Sequence, residues 1–396
     1  MKRKICVLTA TRAEYGLLQC LLQEIKSDSS FDFQLLVSGA HLSPLHGLTW
    51  KEIEADGFRI DQKVDMALTQ DTPSAISRSM GLGLTGFVDA FERLQPDLII
   101  LLGDRYEILM AACAAMLVRI PIAHVHGGEL TQGAIDDSIR HAVTKMSHLH
   151  FVANDEYRRR VIQLGEMPSS VFTVGGMGLD SLTRLTLLPR DALEHDLEFE
   201  FKRRNLLITY HPTTLHKDCA KQEFGELLSV LDEMSETGLL FTLPNADPES
   251  GVIVDMIHAF VARHAHAKAW TSLGQLRYLS CMKVVDAVVG NSSSGILEAP
   301  TLKVGTVNIG SRQDGRAKAL SVIDCAADRK SIEKAFELLY SQEFQTRLVC
   351  TTNPYGVAGA SKRIVSILRK IEFNHLLKKK FHDLPVSGMC LGVRHE

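Results

Sequence analysis

The chain has 396 residues, of which 45% are hydrophobic and 23% charged, which is enough for roughly two to three domains with buried cores. It carries 44 Lys and Arg against 47 Asp and Glu, and this net charge of −3 argues against a dedicated nucleic-acid-binding protein. No apolar run approaches the roughly 18 residues of a membrane span. None of the eight cysteines forms a Cys-x-x-Cys pair, a usage typical of reduced thiols in a cytoplasmic enzyme.

Short apolar runs alternate with helical patterns along the first half of the chain. The runs predict strands over Ile5–Ala10, Phe33–Ser38, Leu98–Gly103, Ile122–His126 and Phe151–Ala153. Helix-like apolar spacing between them predicts helices over Ala13–Lys26, Ile76–Leu94 and Glu107–Leu117. This alternation indicates βαβ units and a parallel sheet.

The second half repeats the alternation after a Gly- and Pro-containing boundary near Gly175–Arg190. Strands are predicted over Leu206–Tyr210, Leu239–Leu243, Ala287–Gly290 and Val304–Ile309. Helices are predicted over Phe224–Glu236, Gly251–Ala265, Ile332–Leu339 and Lys362–Arg369. We therefore expect an α/β protein with two doubly wound halves, followed by an untethered tail over Ser387–Glu396.

Polar clusters follow eight of the predicted strands. They are Thr11–Glu14, Gly39–His41, Gly103–Arg105, His126–Glu129, His211–Pro212, Pro244–Asp247, Gly290–Gly295 and Gly310–Arg312. Ligands of open α/β sheets bind outside the carboxyl ends of the strands. A single cluster of this kind usually marks a turn or a helix cap, but eight spread over both halves predict two sheet edges that face one cleft.

Several of these residues suit an anionic nucleotide. The small residues of Asn291–Gly295 open a helix, where backbone N–H groups can face an anion, although an ordinary Ser N-cap explains them equally well. Arg12, Arg105 and Arg312 supply cationic forks suited to phosphate, or else surface ion pairs. Glu298 can accept hydrogen bonds from ribose hydroxyls, or it can serve as an acid that the helix dipole favours.

Carboxylates and a histidine suit proton transfer. Asp104, Glu129, Asp136 and Asp137 lie on predicted loops or helix starts in the first half, and His211 faces them from the second. Alternatively, these carboxylates serve only as helix caps or as charged residues in the first turn of a helix. The Gly-x-Gly-x-x-Gly pattern of Gly81–Gly86 lies inside a predicted helix and follows no strand, so we reject it as a dinucleotide site.

Taken together, the motifs carry a family resemblance over nearly the whole chain, from Lys4 to about Val386. The chain resembles the hydrolysing UDP-N-acetylglucosamine 2-epimerases of sialic-acid biosynthesis. The matching stretches are Thr11–Gly16, Gly103–Glu107, His126–Glu129, Asp136–His141, His211–Pro212, Gly290–Gly295 and Gly310–Arg316.

The resemblance implies a GT-B-like fold of two Rossmann-like domains with the nucleotide sugar between them. It places the domain with the catalytic carboxylates at residues 1–180, the nucleotide-binding domain at 181–370, a segment crossing back to the first domain at 371–386, and a tail at 387–396. It further implies a cytoplasmic homodimer or homotetramer that needs no cofactor and no metal.

The implied reaction releases UDP from C1 as the C2 proton is removed, which gives a 2-acetamidoglucal. Water then adds at C1 and C2 is protonated from the other face, which frees the 2-epimerised sugar. By motif, Asp104, Glu129 and Asp136 match acid–base carboxylates, with Asp137 as a neighbouring candidate and His211 as the cleft histidine. Nucleotide or substrate contacts are implied for Arg12, His41, Arg105, Asn245, Ser292, Ser293, Glu298 and Arg312.

Three alternatives stay open at this point. Non-hydrolysing epimerases share the fold but differ in their equivalents of Gly103–Glu107 and His126–Glu129, which favour the hydrolysing branch. A glycosyltransferase of the same fold and a catalytically silent nucleotide-sugar sensor are the others. The sugar is not fixed either: UDP-GlcNAc leads to sialic acid, UDP-N,N′-diacetylbacillosamine leads to legionaminic acid, and a GDP-linked substrate is possible.

Overall fold

A computed structural model describes residues 2–44, 47–68, 72–131, 135–212, 219–244 and 250–384. These residues form two parallel β-sheets, each covered by helices on both faces. The predicted tail at 387–396 lies outside the described residues. Within the described part, no helix is both long and apolar enough to cross a membrane.

The first sheet has seven strands. In chain order they are β1 Arg3–Thr9, β2 Phe31–Ser38, β3 Gln62–Val64, β4 Leu98–Leu102, β5 Ile122–Val125, β6 Leu149–Val152 and β7 Val171–Thr173. They lie side by side in the order β3-β2-β1-β4-β5-β6-β7, and every pair is parallel. All five residues of β4 are buried, as expected of a central strand that helices cover on both faces.

Helices and short 3-10 helices connect these strands. They are α1 Arg12–Ser27, α2 Trp50–Ala55, α3 Pro73–Leu94, α4 Tyr106–Leu117, α5 Ile135–Met146, α6 Asp155–Gln163 and α7 Gly178–Arg184, with 3-10 helices at Gly39–Leu42 and Pro168–Ser170. The rejected glycine pattern lies inside α3. Its glycines allow close packing, because a Cβ on Gly83 would come within 2.7 Å of Met66 and one on Gly86 within 2.7 Å of Val64.

The second sheet repeats the connectivity of the first with six strands. They are β8 Arg204–Thr209, β9 Thr237–Thr242, β10 Ala267–Trp270, β11 Ala287–Gly290, β12 Gly305–Ile309 and β13 Val322–Cys325, in the parallel order β10-β9-β8-β11-β12-β13. The accompanying helices are α8 Arg190–Leu197, α9 Ala220–Leu231, α10 Ser250–Val261, α11 Gly274–Val284, α12 Ser294–Leu297, α13 Arg329–Leu339 and α14 Gln342–Val349. The helix predicted over Phe224–Glu236 ends at Leu231 as α9, because the chain must turn before β9 begins.

The chain then returns to the first sheet. Helix α15 (Ala360–Lys370) packs against α1, and its Ile364 and Leu368 lie in the core of the first sheet. The Asp180 carboxylate accepts hydrogen bonds from the backbone N–H groups at the start of α15, at 2.5–2.9 Å. The return therefore begins by residue 360, whereas the sequence places it at 371. The boundary at residue 180 stays a prediction.

Candidate active site

In both sheets the strand order reverses at the centre, between β1 and β4 in the first and between β8 and β11 in the second. Such a switch point is the usual ligand-binding edge of a doubly wound sheet. We call residues 10–14, 103–107, 126–131 and the start of α5 the first rim. We call residues 210–212, 291–298 and 310–317 the second rim. Together the two rims hold all the predicted site residues except His41 and Asn245, and Asn245 lies outside the described residues.

The first rim is organised around the buried guanidinium of Arg140 on α5. Its Nη1 donates to the backbone oxygen of Glu129 at 2.9 Å, and its Nη2 donates to Thr131 Oγ1 at 2.9 Å and to the Asp104 carboxylate. The Asp137 carboxylate lies 3.6 Å from Nη1. A single cation thus contacts two of the four predicted carboxylates and the backbone of a third.

Asp136 and Asp137 are neighbours with different surroundings. Asp137 accepts a hydrogen bond from the backbone N–H of Thr131 at 2.7 Å, so it anchors the end of the first-rim segment 126–131. Asp136 is half-buried, and burial together with the nearby Asp104 charge raises its pKa, although Arg105 opposes the shift. Asp136 is therefore the carboxyl better suited to carry a proton.

Glu129 is buried beside His126. The backbone N–H of Met177 donates to Nε2 of His126 at 3.3 Å, which leaves the ring proton on Nδ1, 3.2 Å from Oε1 of Glu129. Burial lowers the pKa of His126, so the ring is neutral. His126 has a φ of 67°, a strained conformation that is characteristic of functional sites. Gly128 is required here, because a Cβ would lie 2.5 Å from the backbone oxygen of Tyr157.

A second acidic pair lies behind Arg105. Glu107 is fully buried, with its Oε2 3.3 Å from Nε of Arg105. Glu14 lies in a Thr-x-x-Glu sequence at the start of α1: its N–H donates to Oγ1 of the N-cap Thr11 at 3.3 Å, and its Oε2 accepts from the backbone N–H of Ala10, one residue before the cap, at 2.9 Å. Burial and the Glu107 charge raise the pKa of Glu14 to about 8. Glu14 is therefore protonated at neutral pH.

Two other predicted residues of the first half have different surroundings. Arg12 is exposed at the start of α1 and donates to the hydroxyl of Ser272, so it bridges the two sheets. His41 is buried and both ring nitrogens are occupied, with Thr9 Oγ1 at 3.0 Å and Thr49 Oγ1 at 2.8 Å. Burial lowers its pKa to about 4. His41 therefore supports the end of β1.

Hydrogen bonds around Asn291 join the second rim, and all but the one from Arg312 are between neutral groups. The backbone N–H of His211 donates to Oδ1 of Asn291 at 2.7 Å, and Nδ2 of Asn291 donates back to the backbone oxygen of His211 at 2.8 Å. The backbone oxygen of Asn291 accepts from the Arg312 guanidinium at 3.1 Å and from the Gln313 amide at 2.7 Å. Burial and the Arg312 charge lower the pKa of His211 to about 3, so its ring is neutral.

The serine loop of the second rim, Ser292–Ser294, is likewise joined by hydrogen bonds between neutral groups. Ser292 Oγ lies 3.0 Å from Ser294 Oγ, which lies 2.5 Å from the Tyr278 hydroxyl. The Ser293 carbonyl accepts the first backbone hydrogen bonds of α12. Burial raises the pKa of Glu298 to about 8, and its Oε2 accepts no hydrogen bond from the described residues. A protonated Glu298 can both donate and accept.

The structure brings the rims together. The charge of Arg312 opposes the rise that burial and Asp104 cause in the pKa of Asp136, and Glu129 and Asp104 raise the pKa of Arg316 against the opposing effect of burial. Sequence reasoning did not assign roles to Arg140, His126, Glu14 or Arg316, although all four lie within its motifs. Within the described ranges, no group of three or more His, Cys, Asp or Glu side chains could hold a metal ion.

Sequence comparisons identify a matching family and relatives that are similar over nearly the whole chain. A family model described as UDP-N-acetylglucosamine 2-epimerase matches residues 23–369. The chain is 42% identical to the hydrolysing GDP/UDP-N,N′-diacetylbacillosamine 2-epimerase of Campylobacter jejuni, over 97% of this chain and 100% of the relative. It is 35% identical to the polysialic acid biosynthesis protein P7 of Escherichia coli, over 97% and 98%.

A third relative is the hydrolysing UDP-N,N′-diacetylbacillosamine 2-epimerase of Legionella pneumophila, which is 33% identical over 96% of this chain and 99% of the relative. Among solved structures, UDP-GlcNAc 2-epimerase from Neisseria meningitidis bound to UDP-GlcNAc has a TM-score of 0.81 and 18% identity, over 93% of this chain and 100% of that chain. This similarity confirms the predicted GT-B-like fold of two Rossmann-like units.

Proposed function

The chain belongs to the UDP-N-acetylglucosamine 2-epimerase family and is a hydrolysing 2-epimerase, and from this premise we propose its substrate and the roles of its residues. We propose that the substrate is N,N′-diacetylbacillosamine linked to UDP or GDP. The 42% identity to an enzyme named for this sugar, over nearly the whole of both chains, supports the proposal. The product would be the free 2,4-diacetamido-trideoxy-mannose, a precursor of legionaminic acid.

The reaction consumes one water and needs two proton transfers at C2. The nucleoside diphosphate leaves C1 as the C2 proton is removed, which gives a 2-acetamidoglucal-type intermediate. Water then adds its hydroxyl to C1, and C2 is protonated from the opposite face. Nucleotide sugar and water thus become free sugar and nucleoside diphosphate. Inversion at C2 requires a group that takes a proton on one face and a second group that gives one on the other.

The Arg140-centred carboxylates carry this proposal. We assign the base to Glu129, which is buried beside neutral His126, and the acid to Asp136, whose raised pKa favours the protonated form. Asp104 accepts a hydrogen bond from Arg140 and belongs to the same carboxylate cluster as Glu129 and Asp136. Asp137 accepts a hydrogen bond from Thr131 and so positions the segment that carries Glu129.

The second rim is assigned to the nucleotide, together with two arginines of the first rim. The guanidinium groups of Arg12, Arg105 and Arg312 suit the diphosphate. The remaining proposed contacts are neutral side chains of the second half: Asn245, Ser292, Ser293, Glu298 and His211. The neutral His211 and the protonated Glu298 can approach an anionic ligand without like-charge repulsion. His41 supports the rim through Thr9.

The test compares three substrates by proton NMR: UDP-N,N′-diacetylbacillosamine, its GDP-linked form and UDP-GlcNAc. We expect free 2-epimerised sugar and nucleoside diphosphate, with higher kcat/KM for one of the diacetylated substrates. Faster turnover of UDP-GlcNAc would overturn the assigned sugar. An intact epimerised nucleotide sugar would indicate non-hydrolysing chemistry. Turnover only with an acceptor would indicate a glycosyltransferase, and binding alone a sensor.

Location and assembly complete the proposal. We place the enzyme in the cytoplasm, which the free state of all seven cysteines in the described ranges supports. We also expect a homodimer or homotetramer. Large apolar side chains are exposed on the packed helices α3 and α4, where Leu82 is 50%, Met116 55% and Leu117 61% exposed. Light scattering coupled to gel filtration measures the assembly directly.

A further inference from the structure

Glu107 is an acidic side chain in the interior of the first rim. It lies in the first turn of α4, two residues after Arg105, and its side chain is fully buried. Its Oε2 lies 3.3 Å from Nε of Arg105, whereas its Oε1 has no hydrogen-bond partner among the described residues. The Arg105 side chain remains 41% exposed. The pair therefore joins a buried carboxylate to a guanidinium that solvent, and hence a ligand, can reach.

The Glu107 carboxylate lies where three strands of the first sheet end. A Cβ on Gly39, which follows β2, would come within 3.1 Å of Oε1 of Glu107 and within 3.0 Å of the backbone oxygen of Ala10, which follows β1. Glu107 itself lies just after β4. Because β1 and β4 flank the switch point, this carboxylate lies at the edge where ligands of doubly wound sheets bind. The close packing against Gly39 holds it in one position.

The contact at Nε leaves the two ends of the Arg105 guanidinium available. Within the described residues, neither Nη atom of Arg105 donates a hydrogen bond. Its Cζ lies 5.4 Å from the centre of the Tyr106 ring. Two Nη groups of a planar fork match two phosphate oxygens, which is the geometry of bidentate phosphate recognition. An arginine that is held before the ligand arrives also loses less rotamer freedom on binding than a mobile one.

We infer that Glu107 is a positioning residue for the diphosphate, which holds the Arg105 guanidinium at the switch point so that both Nη groups can contact phosphate oxygens. The inference rests on the proposed function, in which Arg105 contacts the diphosphate. Since Glu107 is fully buried, it acts through Arg105 and not by contact with the ligand.

This role has a distinctive sign. A carboxylate that acted only through its charge would repel an anionic ligand, so its removal would tighten diphosphate binding. Loss of a residue that positions a phosphate-binding arginine weakens diphosphate binding instead. The direction of the change therefore separates the two roles.

The test compares the binding of UDP and of uridine in the wild type and in Glu107→Gln. The substitution keeps the shape of the side chain but removes its charge, so Arg105 loses its ionic partner. The Kd for UDP, measured by calorimetry, should rise about tenfold, as expected for a weakened charge-assisted hydrogen bond. The Kd for uridine, measured by ligand-observed NMR, should stay unchanged, because the nucleoside has no phosphate. GDP and guanosine are compared in the same way if the GDP-linked sugar is the better substrate.

A double-mutant cycle shows whether Glu107 acts through Arg105. In an Arg105→Gln background, Glu107→Gln should not weaken UDP binding further, because the guanidinium that it positions is absent. Additive losses in the double variant would overturn the inference. Glu333→Gln is the matched control, because Glu333 makes the same type of contact with Nε of Arg329, at 2.7 Å on α13, and its loss should leave the Kd for UDP unchanged. An equal rise in this control would also overturn the inference, since a general charge effect would then explain it.

A second variant covers the case in which Glu107→Gln does not fold. Glu107→Asp keeps the charge but ends one methylene short of Arg105, so it should weaken UDP binding in the same direction. In either variant, a Kd for UDP that equals the wild-type value or lies below it would overturn the inference.

Failure of the inference and failure of the proposed function give different results. If the wild-type enzyme releases no nucleoside diphosphate from any of the three substrates, the proposed reaction fails, whatever the variants bind. If the wild type is active and binds UDP more tightly than uridine, but the Glu107 variants bind UDP as the wild type does, only the inference fails. A wild type that binds UDP no more tightly than uridine would contradict the contact between Arg105 and the diphosphate, and with it the inference.

Discussion

The two rims share a strand order but use different interactions. In the first rim the buried guanidinium of Arg140 holds the Asp104 carboxylate and the Glu129 backbone. In the second rim His211 and Asn291 exchange two hydrogen bonds between neutral groups. One topology thus supports a charged network suited to proton transfer and a neutral network suited to an anionic ligand. This division predicts that substitutions of the first rim's Arg140-centred carboxylates or of Arg140 lower kcat, and that substitutions in the second rim raise KM.

The largest effect is expected at Glu129. Glu129→Gln removes the proposed base with little change in shape, so kcat should fall about 10²- to 10⁴-fold while UDP binding persists. Steady-state kinetics and calorimetric UDP titration measure the two quantities. Glu333→Gln is the matched control, because Glu333 pairs with Arg329 on the exposed side of α13 and should keep full kcat. Full activity of Glu129→Gln would remove Glu129 from the chemistry.

Arg140→Met tests the charged network itself. The change leaves the carboxylates of Asp104 and Asp137 without their buried partner, so the free energy of unfolding should fall by about 3–5 kcal/mol. Denaturant unfolding measures it. Arg93→Met removes an exposed cation that pairs with Asp89 at 4.0 Å, and it should cost less than about 1 kcal/mol. Equal losses in both variants would mean that Arg140 is an ordinary surface-type ion pair.

The interior of each sheet could be predicted from the sequence, whereas its edges could not. The predicted strands all correspond to interior strands, because burial on both faces makes them continuously apolar. The four strands that sequence analysis missed are β3, β7, β10 and β13, the outer strands of the two sheets. They have three or four residues and are partly exposed, so their apolar pattern is too short to recognise.

The candidate active site, too, could be predicted from the sequence only in part. The predicted carboxylates lie on the first rim because residues that follow central strands must reach the switch point. The role of Arg140 depends on how α5 packs beside the ends of β4 and β5, which no local pattern encodes. Glu14 had a local signal, the Thr-x-x-Glu capping box, but that signal predicts a helix start and not a buried, protonated carboxyl.

Each rim holds one carboxyl that is protonated at neutral pH. The one in the first rim, Glu14, can be tested through the pH dependence of folding stability. Its pKa is about 8 in the folded chain, against an ordinary value of 4.5, so folding takes up a proton between these values. Stability from Glu14 is thus complete below about pH 4.5 and is lost as the pH rises towards 8, by up to about 1.4 kcal/mol per pH unit.

Glu14→Gln should remove this part of the pH dependence, so stability should fall less than in the wild type between pH 5 and pH 8. Denaturant midpoints at several pH values measure the slope. Glu92→Gln, at an exposed site on α3, should keep the wild-type slope. A Glu14→Gln slope equal to that of the wild type would mean that Glu14 is ionised in the folded protein.

The smallest effect is expected at Tyr278 in the second rim. Tyr278→Phe removes the hydroxyl that lies 2.5 Å from Ser294 Oγ, which loosens the serine loop without changing any charge. A lost neutral hydrogen bond costs about 1 kcal/mol, so KM should rise about fivefold while kcat stays near its wild-type value. Tyr340→Phe is the matched control, because the Tyr340 hydroxyl is buried without a hydrogen-bond partner among the described residues. A fall in kcat at constant KM in Tyr278→Phe would contradict the division between the rims, since the second rim would then act on the chemical step.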